Sequence, residues 1–432
     1  MATFLQNRTL KREVQKQLDS LDDKEKADGS PDSGHSSSYS QVVDECRKLQ
    51  GIKKQVDEDG TTTYVVGWAE LGDSQHPRNW SMPRRLRSFI LLILIDFAVT
   101  SGSSIDSAVQ KQAARNLRVA EAVEVFSGTA IFQIGLGLGA FITSPLSELF
   151  GRLAIYISTM CLFACWQIGA ALSPNVEAQI AFRFLAGFCG SAPLTVAGGT
   201  LSDLWNARQK TWAFPVFSVI GFGGPILGPV MSAFIPVTGV LSWHWADWIS
   251  LLPTGIVLVL VVLFMEETLA DRLLYRKAMY FRQLTGDDRF VADSHLGRES
   301  LAQLLRRVFG RPFVLSSEPI VISFTLYLAL VYVILFTFLD GFSFIFEQTY
   351  GINSGLSYTM FVALFTGVLL QLLMVPYVIR KNNKQLARDA DDGTGKKLRR
   401  ESRLLFAMYT APLLPIGLFC EYLQQQRHQL MT

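Results

Sequence analysis

The sequence predicts an all-α membrane protein, because apolar stretches of about 20 residues recur along it, several are apolar on every side, and cations gather in alternate connections. Of 432 residues, 49% are hydrophobic and only 18% charged, a balance unsuited to soluble domains. The average conceals two kinds of segment. Residues 1–87 are dense in Lys, Asp, Glu, Ser and Gln, and beyond them charge nearly vanishes from one window after another.

The first element, 1–87, is predicted to be a disordered cytosolic tail, since so polar a segment buries too little apolar surface to offset the entropy of folding. Its run SPDSGHSSSYS over 30–40 suits either phosphorylation or a plain solvated leader. No secretory signal is predicted in MATFLQNRTL, which has no apolar core behind a basic start.

Crossing about 30 Å of hydrocarbon takes about 20 apolar residues. Eight windows meet that ruler: 88–108, 124–144, 153–173, 178–199, 212–235, 248–265, 319–339 and 356–378. A shorter ninth at 404–420 gives way to the polar EYLQQQRHQLMT. Buried soluble helices would each keep one polar face, and 153–172 and 320–339 have none. The predicted plan is a complete six-span bundle over 88–265, a cytosolic linker over 266–317, and a partial second bundle over 318–432 holding spans seven, eight and a fragment of nine. Within the linker, MEETLADRLLYRKAMYFRQL places cations among Leu, Tyr and Met at helical spacing. That pattern fits a helix lying on the inner leaflet and equally a solvated connecting helix.

Orientation follows from the cations. Arg84, Arg85 and Arg87 abut the first span, nine Lys or Arg fall between spans six and seven, and nine more lie over 380–403. The connections 173–177, 236–247 and 340–355 carry none, and only the first outer loop departs, with Lys111, Arg115 and Arg118. The positive-inside rule therefore puts the N-terminus in the cytosol of a multi-pass membrane protein. The plasma membrane is the expected location.

A net charge of +3 gives no basic face for nucleic acid. The five cysteines show neither metal-ligand spacing nor a disulfide framework. No metal, cofactor or enzymatic activity is predicted.

A charge inside a span costs about 2.5–3.5 kcal/mol on insertion scales and is a functional candidate by default. Three stand out: Asp96 and Asp106 in span one and Arg183 in span four. Asp96 shares a stripe with Thr100, Ser103 and Ser107, expected to face a central cavity. At ~1.5 Å per residue, Arg183 lies roughly 8 Å below the outer boundary, Asp106 about 3 Å and Asp96 about 18 Å. Arg183 should thus lean toward Asp106. This pair could couple protons or simply snorkel together near the surface, and Asp96 could carry a proton or a structural hydrogen bond. On span seven, Phe324, Tyr327, Tyr332 and Phe336 are candidate cavity aromatics for cationic solutes, or else packing and lipid-facing groups.

Two motifs carry a family resemblance. Between spans two and three the chain reads SPLSELFGR, with Gly151 allowing the bend and Glu148 four residues before Arg152. It resembles the loop motif Gly-x-x-x-Asp-Arg-x-Gly-Arg-Arg/Lys of the major facilitator superfamily, Glu148 replacing the aspartate. In span five, GFGGPILGP places Gly221, Gly224, Pro225, Gly228 and Pro229 in an otherwise apolar helix, where they are costly unless packing uses them. It resembles the antiporter motif of drug-efflux members. HPRNW, GSSIDSA, RFLAGFCGSAPL, GGTLSDLW and RPFVLSSEPI extend the similarity across the membrane part. Together they resemble the fungal drug:proton antiporter branch, twelve-span type.

The resemblance implies a monomeric alternating-access transporter exchanging protons for small amphipathic or cationic compounds such as drugs, toxins or polyamines. A nutrient symporter or uniporter and a truncated, non-transporting membrane protein are the alternatives. Departures from the family pattern are His244, where arginine is usual, and Ala186, where glutamine is common. The family's Glu148 equivalent docks on span eleven, and spans ten to twelve are expected to be absent. On that expectation the chain is transport-inactive and poorly stable, and appending spans nine to twelve of a relative restores both.

Overall fold

The computed structural model describes residues 1–27, 51–56, 62–69, 72–206, 209–293, 309–310, 314–344, 346–347, 351–391 and 416–417. The chain divides into two compact units, Met1–Thr366 and Gly367–Thr432. Residues 367–391 of the second unit belong to the helix Phe361–Asp391, which contains Pro376.

Among the described residues, seven helices are long and apolar enough to cross a membrane. The first six are Met82–Ala108, Glu121–Phe150, Arg152–Ala171, Val176–Leu204, Lys210–Thr238 and Trp245–Phe264, and we call them spans one to six. Gly355–Tyr377 is the seventh by that measure and corresponds to the eighth sequence window; the seventh window lies in the helix Pro319–Phe344. The ninth window falls almost wholly outside the described residues.

Span six shows why these helices suit lipid. Its buried residues, Ala246, Asp247, Ser250, Thr254, Val257 and Val261, follow a helical stripe of small or polar groups. Leu252, Ile256 and Val259 point outward and are more than half exposed. An apolar outer face around a small, polar inner stripe is the pattern of helices that associate in lipid by close packing. Spans two and four do the same with glycine. A Cβ on Gly135 or Gly139 would strike the backbone of Phe184 or Phe188, and one on Gly187 the carbonyl of Phe132.

One correction concerns the polar tail. The expected disorder over 1–87 does not hold for a helix, α1 (Ala2–Ala27), and two antiparallel strands, β1 (Ile52–Val56) and β2 (Thr62–Val66). The linker helix, α2 (Ala270–Thr285), and a third strand, β3 (Phe290–Ala292), join them, with β3 parallel to β2 and Tyr64 opposite Phe290. Val14 and Leu18 of α1 meet Leu274, Ala278 and Phe281 of α2 and Tyr64, Val66 and Phe290 of the sheet. Each stripe is too narrow to fold alone, so composition read as disorder. Joined across more than 200 residues of sequence, they share one small core.

The same packing bears on the linker helix. The face of α2 that could have lain on lipid is buried in protein, and Lys277 within it pairs with Asp73 at 3.1 Å and lies over Trp68. The Ser-rich run 30–40 lies outside the described residues.

Candidate functional site

Arg183 of span four organises a buried polar cluster at the end of the bundle away from α1 and α2. Its guanidinium, 1% exposed, is ion-paired with Asp106 and with Asp247 of span six at 2.8 Å, and donates to the carbonyl of Gly102 at 2.9 Å. Glu124 of span two, also buried, lies within electrostatic reach of the same guanidinium. Its two oxygens accept from Gln179 at 2.7 Å and Ser127 at 3.0 Å. One cation thus faces three carboxylates.

The backbone is irregular on both sides of this cluster. Span one passes from α-helix into a 3₁₀ turn over Ile105–Ala108, which lets Asp106 point at Arg183. Span two carries a π turn, Phe126–Ala130, whose Gly128 leaves room for the Asp106 side chain. Such interruptions expose or redirect groups a straight helix would hide, and they concentrate at functional sites.

The expected Asp106–Arg183 pairing is present, but the pair is wholly buried, so it does not snorkel at the surface. Asp247 and Glu124 were not singled out from sequence because each sits at the edge of an apolar window. The available signal was spacing: Asp247, Ser250 and Thr254 lie on one face of span six.

Asp96 occupies a different setting, deep between spans one and five. It is fully buried, and neither carboxylate oxygen meets a hydrogen-bond partner among the described residues. Tyr156 of span three and Tyr332 lie within its electrostatic reach. From it runs a seam in which span one's polar side chains fill the space over span five's glycines. A Cβ at Gly221 would lie 2.7 Å from Asp96 Oδ2, one at Gly224 would strike Thr100 Oγ1, and one at Gly228 would strike Ser104 Oγ.

The prolines complete the seam. Pro229 has no N–H for the carbonyl of Pro225 four residues earlier, and Ser104 Oγ donates to that carbonyl instead at 2.8 Å. Ser232 Oγ likewise donates to the Ile105 carbonyl, at 2.5 Å, where span one leaves the α-helix.

This geometry corrects the cavity assignment of Thr100 and Ser103. Both are buried, and both hydroxyls are used within span one: Thr100 donates to the Asp96 carbonyl at 2.6 Å and Ser103 to the Thr100 carbonyl at 2.7 Å. Of the span-seven aromatics, Tyr327 and Tyr332 are exposed, and Tyr332 packs on Phe222 of span five at 5.9 Å and on Phe336 at 6.4 Å.

On the side bearing α1 and α2, Gly151 turns the chain between spans two and three with φ of 98°, a left-handed value that suits glycine. Arg152 is buried and bonds Ser147 Oγ at 2.6 Å and Asp203 at 3.4 Å, while Glu148 is exposed. Arg152's ion-pair partner is thus Asp203, from the GGTLSDLW segment. Glu267, just past span six, accepts from the backbone N–H of Arg152 at 3.1 Å and so caps span three.

At the opposite end, second-half segments touch the first half. Tyr358 donates to the Ser107 carbonyl at 3.0 Å, Lys111 pairs with Glu347 at 2.7 Å, and Gly355 lies against Phe234. Among the described residues, no group of three or more His, Cys, Asp or Glu side chains is placed to hold a metal ion.

Six apolar spans packed through glycine seams, with Asp96 and the Arg183 cluster buried among them, make a polytopic membrane protein. The family model of the Major Facilitator Superfamily matches residues 92–424, and the chain belongs to that family. It is 38% identical over 359 residues to the MFS-type transporter kojT of Aspergillus flavus, covering 83% of this chain and 63% of kojT. It is 31% identical to Transporter mfs1 of Schizosaccharomyces pombe, covering 84% of this chain and 68% of the relative. It is 28% identical to Efflux pump radE of Floropilus chiversii, covering 84% of this chain and 66% of the relative. The chain therefore spans less than two thirds of kojT's length. Among solved structures, the proton:xylose symporter XylE superposes with a TM-score of 0.52 at 14% identity over 70% of each chain, a likeness of fold.

Proposed function

We propose that the protein acts in proton-coupled antiport, exporting small amphipathic or cationic compounds such as drugs, toxins or polyamines across the plasma membrane, with the α1 side in the cytosol. The observation that carries the reading is the excess of buried carboxylate: Asp106, Asp247 and Glu124 surround one guanidinium, and Asp96 has none. Water-excluded acids without cations to match them are stable only when protonated or when a cation is delivered to them. A site that exchanges a proton for a cationic solute does both in turn. Asp96 is the exchanging group, and the Arg183 cluster relays protons toward the opposite face. The exposed rings of Tyr327 and Tyr332 meet the solute as it enters, and alternating access between the two bundles moves it. Gly151 and Arg152, with Glu148, form the cytosolic gating loop. The working unit is a monomer, and no nucleic acid or cofactor takes part.

The name of radE, an efflux pump, supports export over nutrient uptake. The test is uptake of a fluorescent lipophilic cation by proteoliposomes under an imposed pH gradient. Because the chain spans 63% of kojT, it is run on this chain and on a fusion carrying the part of kojT that this chain does not match. Gradient-driven uptake that nigericin abolishes, and that Asp96→Asn abolishes in the same form, is the expected result. No uptake by either form would overturn the transporter reading. Uptake indifferent to the gradient, or intact in Asp96→Asn, would overturn the coupling.

A further inference from the structure

We propose that α1 is a lipid-binding foot: its outward face seats on the bilayer surface beside the end of span six and takes up anionic phospholipid there. Three observations place it. Thr3 Oγ1 donates to the carbonyl of Met265 at 3.2 Å, and the backbone nitrogen of Met1 donates to that of Val262 at 3.1 Å, so the first turn of α1 is bonded to the last turn of a membrane span. A reciprocal pair of bonds, Gln6 Nε2 to the Glu267 carbonyl and Glu267 N to Gln6 Oε1, both 3.0 Å, fixes the next turn. The first turn of α1 therefore lies at the hydrocarbon boundary whatever the rest of the chain does.

The second observation is which residues look outward there. Ala2, Gln6, Leu10, Val14 and Leu18 form the buried side of α1. On the opposite side, Phe4 is 69% and Leu5 50% exposed, beside the exposed Val262, Leu263 and Phe264 of span six. A phenylalanine and a leucine left bare on an otherwise charged helix are costly in water and suited to the acyl boundary.

The third is the order of residues along that same face. After Phe4 and Leu5 come Arg8, Lys11 and Arg12, all exposed. At ~1.5 Å per residue they lie about 6 to 12 Å farther along the axis, within side-chain reach of headgroup phosphates. Three of the four cations of α2 are engaged with protein: Lys277 is held by Asp73, Arg276 bonds Asn7 at 3.1 Å, and Arg282 bonds the Phe290 carbonyl at 2.6 Å, while the fourth, Arg272, is half-buried and lies over Tyr275. From the sequence the linker helix could either meet the inner leaflet or connect the bundles in solvent. In the folded protein α2 fills a protein core, and α1 presents the apolar-then-basic face instead. Because Gln6 also holds Glu267, which caps span three, a membrane-seated α1 ties the lipid surface to the inner loop.

The proposal is independent of what the protein transports. Its test uses the full chain in nanodiscs of phosphatidylcholine, or of phosphatidylcholine with phosphatidylserine, carrying an environment-sensitive fluorophore on Phe4→Cys with the native cysteines replaced. Expected are blue-shifted emission, quenching by nitroxide placed in the acyl chains, and a several-fold greater quenching with phosphatidylserine that R8Q/K11Q/R12Q removes. Backbone hydrogen exchange of residues 6–18 should stay slow in that triple variant, since the buried side of α1 is untouched. Water-like emission at position 4 in both lipids would overturn the proposal. So would a response indifferent to phosphatidylserine, or loss of exchange protection in the triple variant, which would mean that these cations hold protein and not lipid.

Discussion

Asp96 and Asp106 lie ten residues apart on the same span, both buried, and they are treated in opposite ways. Asp106 shares Arg183 with Asp247, beside Glu124 and its own two donors. Asp96 is wrapped in glycine, threonine and rings, and no hydrogen-bond donor reaches its oxygens among the described residues. Burial alone therefore does not define the role of an acid in this bundle. Near the cluster, removing one partner strands the others; at Asp96, removing the charge strands nothing.

The largest expected effect comes from Arg183→Leu, which leaves three carboxylates with no cation. Breaking a buried pair in this way costs about 3–5 kcal/mol. Thermal unfolding in detergent should show that loss, with much of it recovered when Asp106→Asn and Asp247→Asn are added. A loss under ~1 kcal/mol would mean the cluster is not held by its arginine.

Next is the glycine seam that walls in Asp96. Gly224→Val drives a branched side chain into Thr100, and overpacking of this kind costs about 1–3 kcal/mol. Thr100→Ala should relieve part of it, giving a non-additive pair. Strict additivity would show that spans one and five do not pack here as described.

A smaller effect is expected from Ser104→Ala, which leaves the Pro225 carbonyl without its donor at about 1–2 kcal/mol. Pro229→Ala restores a backbone N–H for that carbonyl, so the penalty of Ser104→Ala should shrink in its presence. An equal penalty in both backgrounds would contradict the assignment of Ser104 as the proline's substitute donor.

Least in magnitude, and opposite in sign, is Asp96→Asn. Replacing an unpaired buried acid by its neutral isostere should leave the melting temperature unchanged or raise it by the equivalent of about 1 kcal/mol or less. A loss comparable to that of Arg183→Leu would erase the distinction between the two acids.

Much of this was legible in the sequence. The apolar windows gave the spans, because lipid forces every crossing to be long and apolar, and the pairing of Asp106 with Arg183 followed from depth along two helices. Gly221, Gly224 and Gly228 announced a close contact, but not that Asp96, Thr100 and Ser104 fill it, since that depends on which neighbour faces span five. Asp247 and Glu124 were hidden by lying where apolar windows end. The fold of the polar end escaped notice for another reason: Val14, Leu18, Tyr64 and Phe281 are few and far apart, and they share a core only where α1 and β2 meet α2 and β3.

Proton counting tests most directly whether Asp96 is the exchanging group. Purified protein in weakly buffered detergent is given a lipophilic cation, and released protons are followed with a pH indicator while cation binding is followed by its own fluorescence. The wild type should release about one proton per cation bound, and Asp96→Asn, with no carboxylate to balance the cation, should bind it more weakly and release none. Undiminished proton release from Asp96→Asn would contradict the assignment.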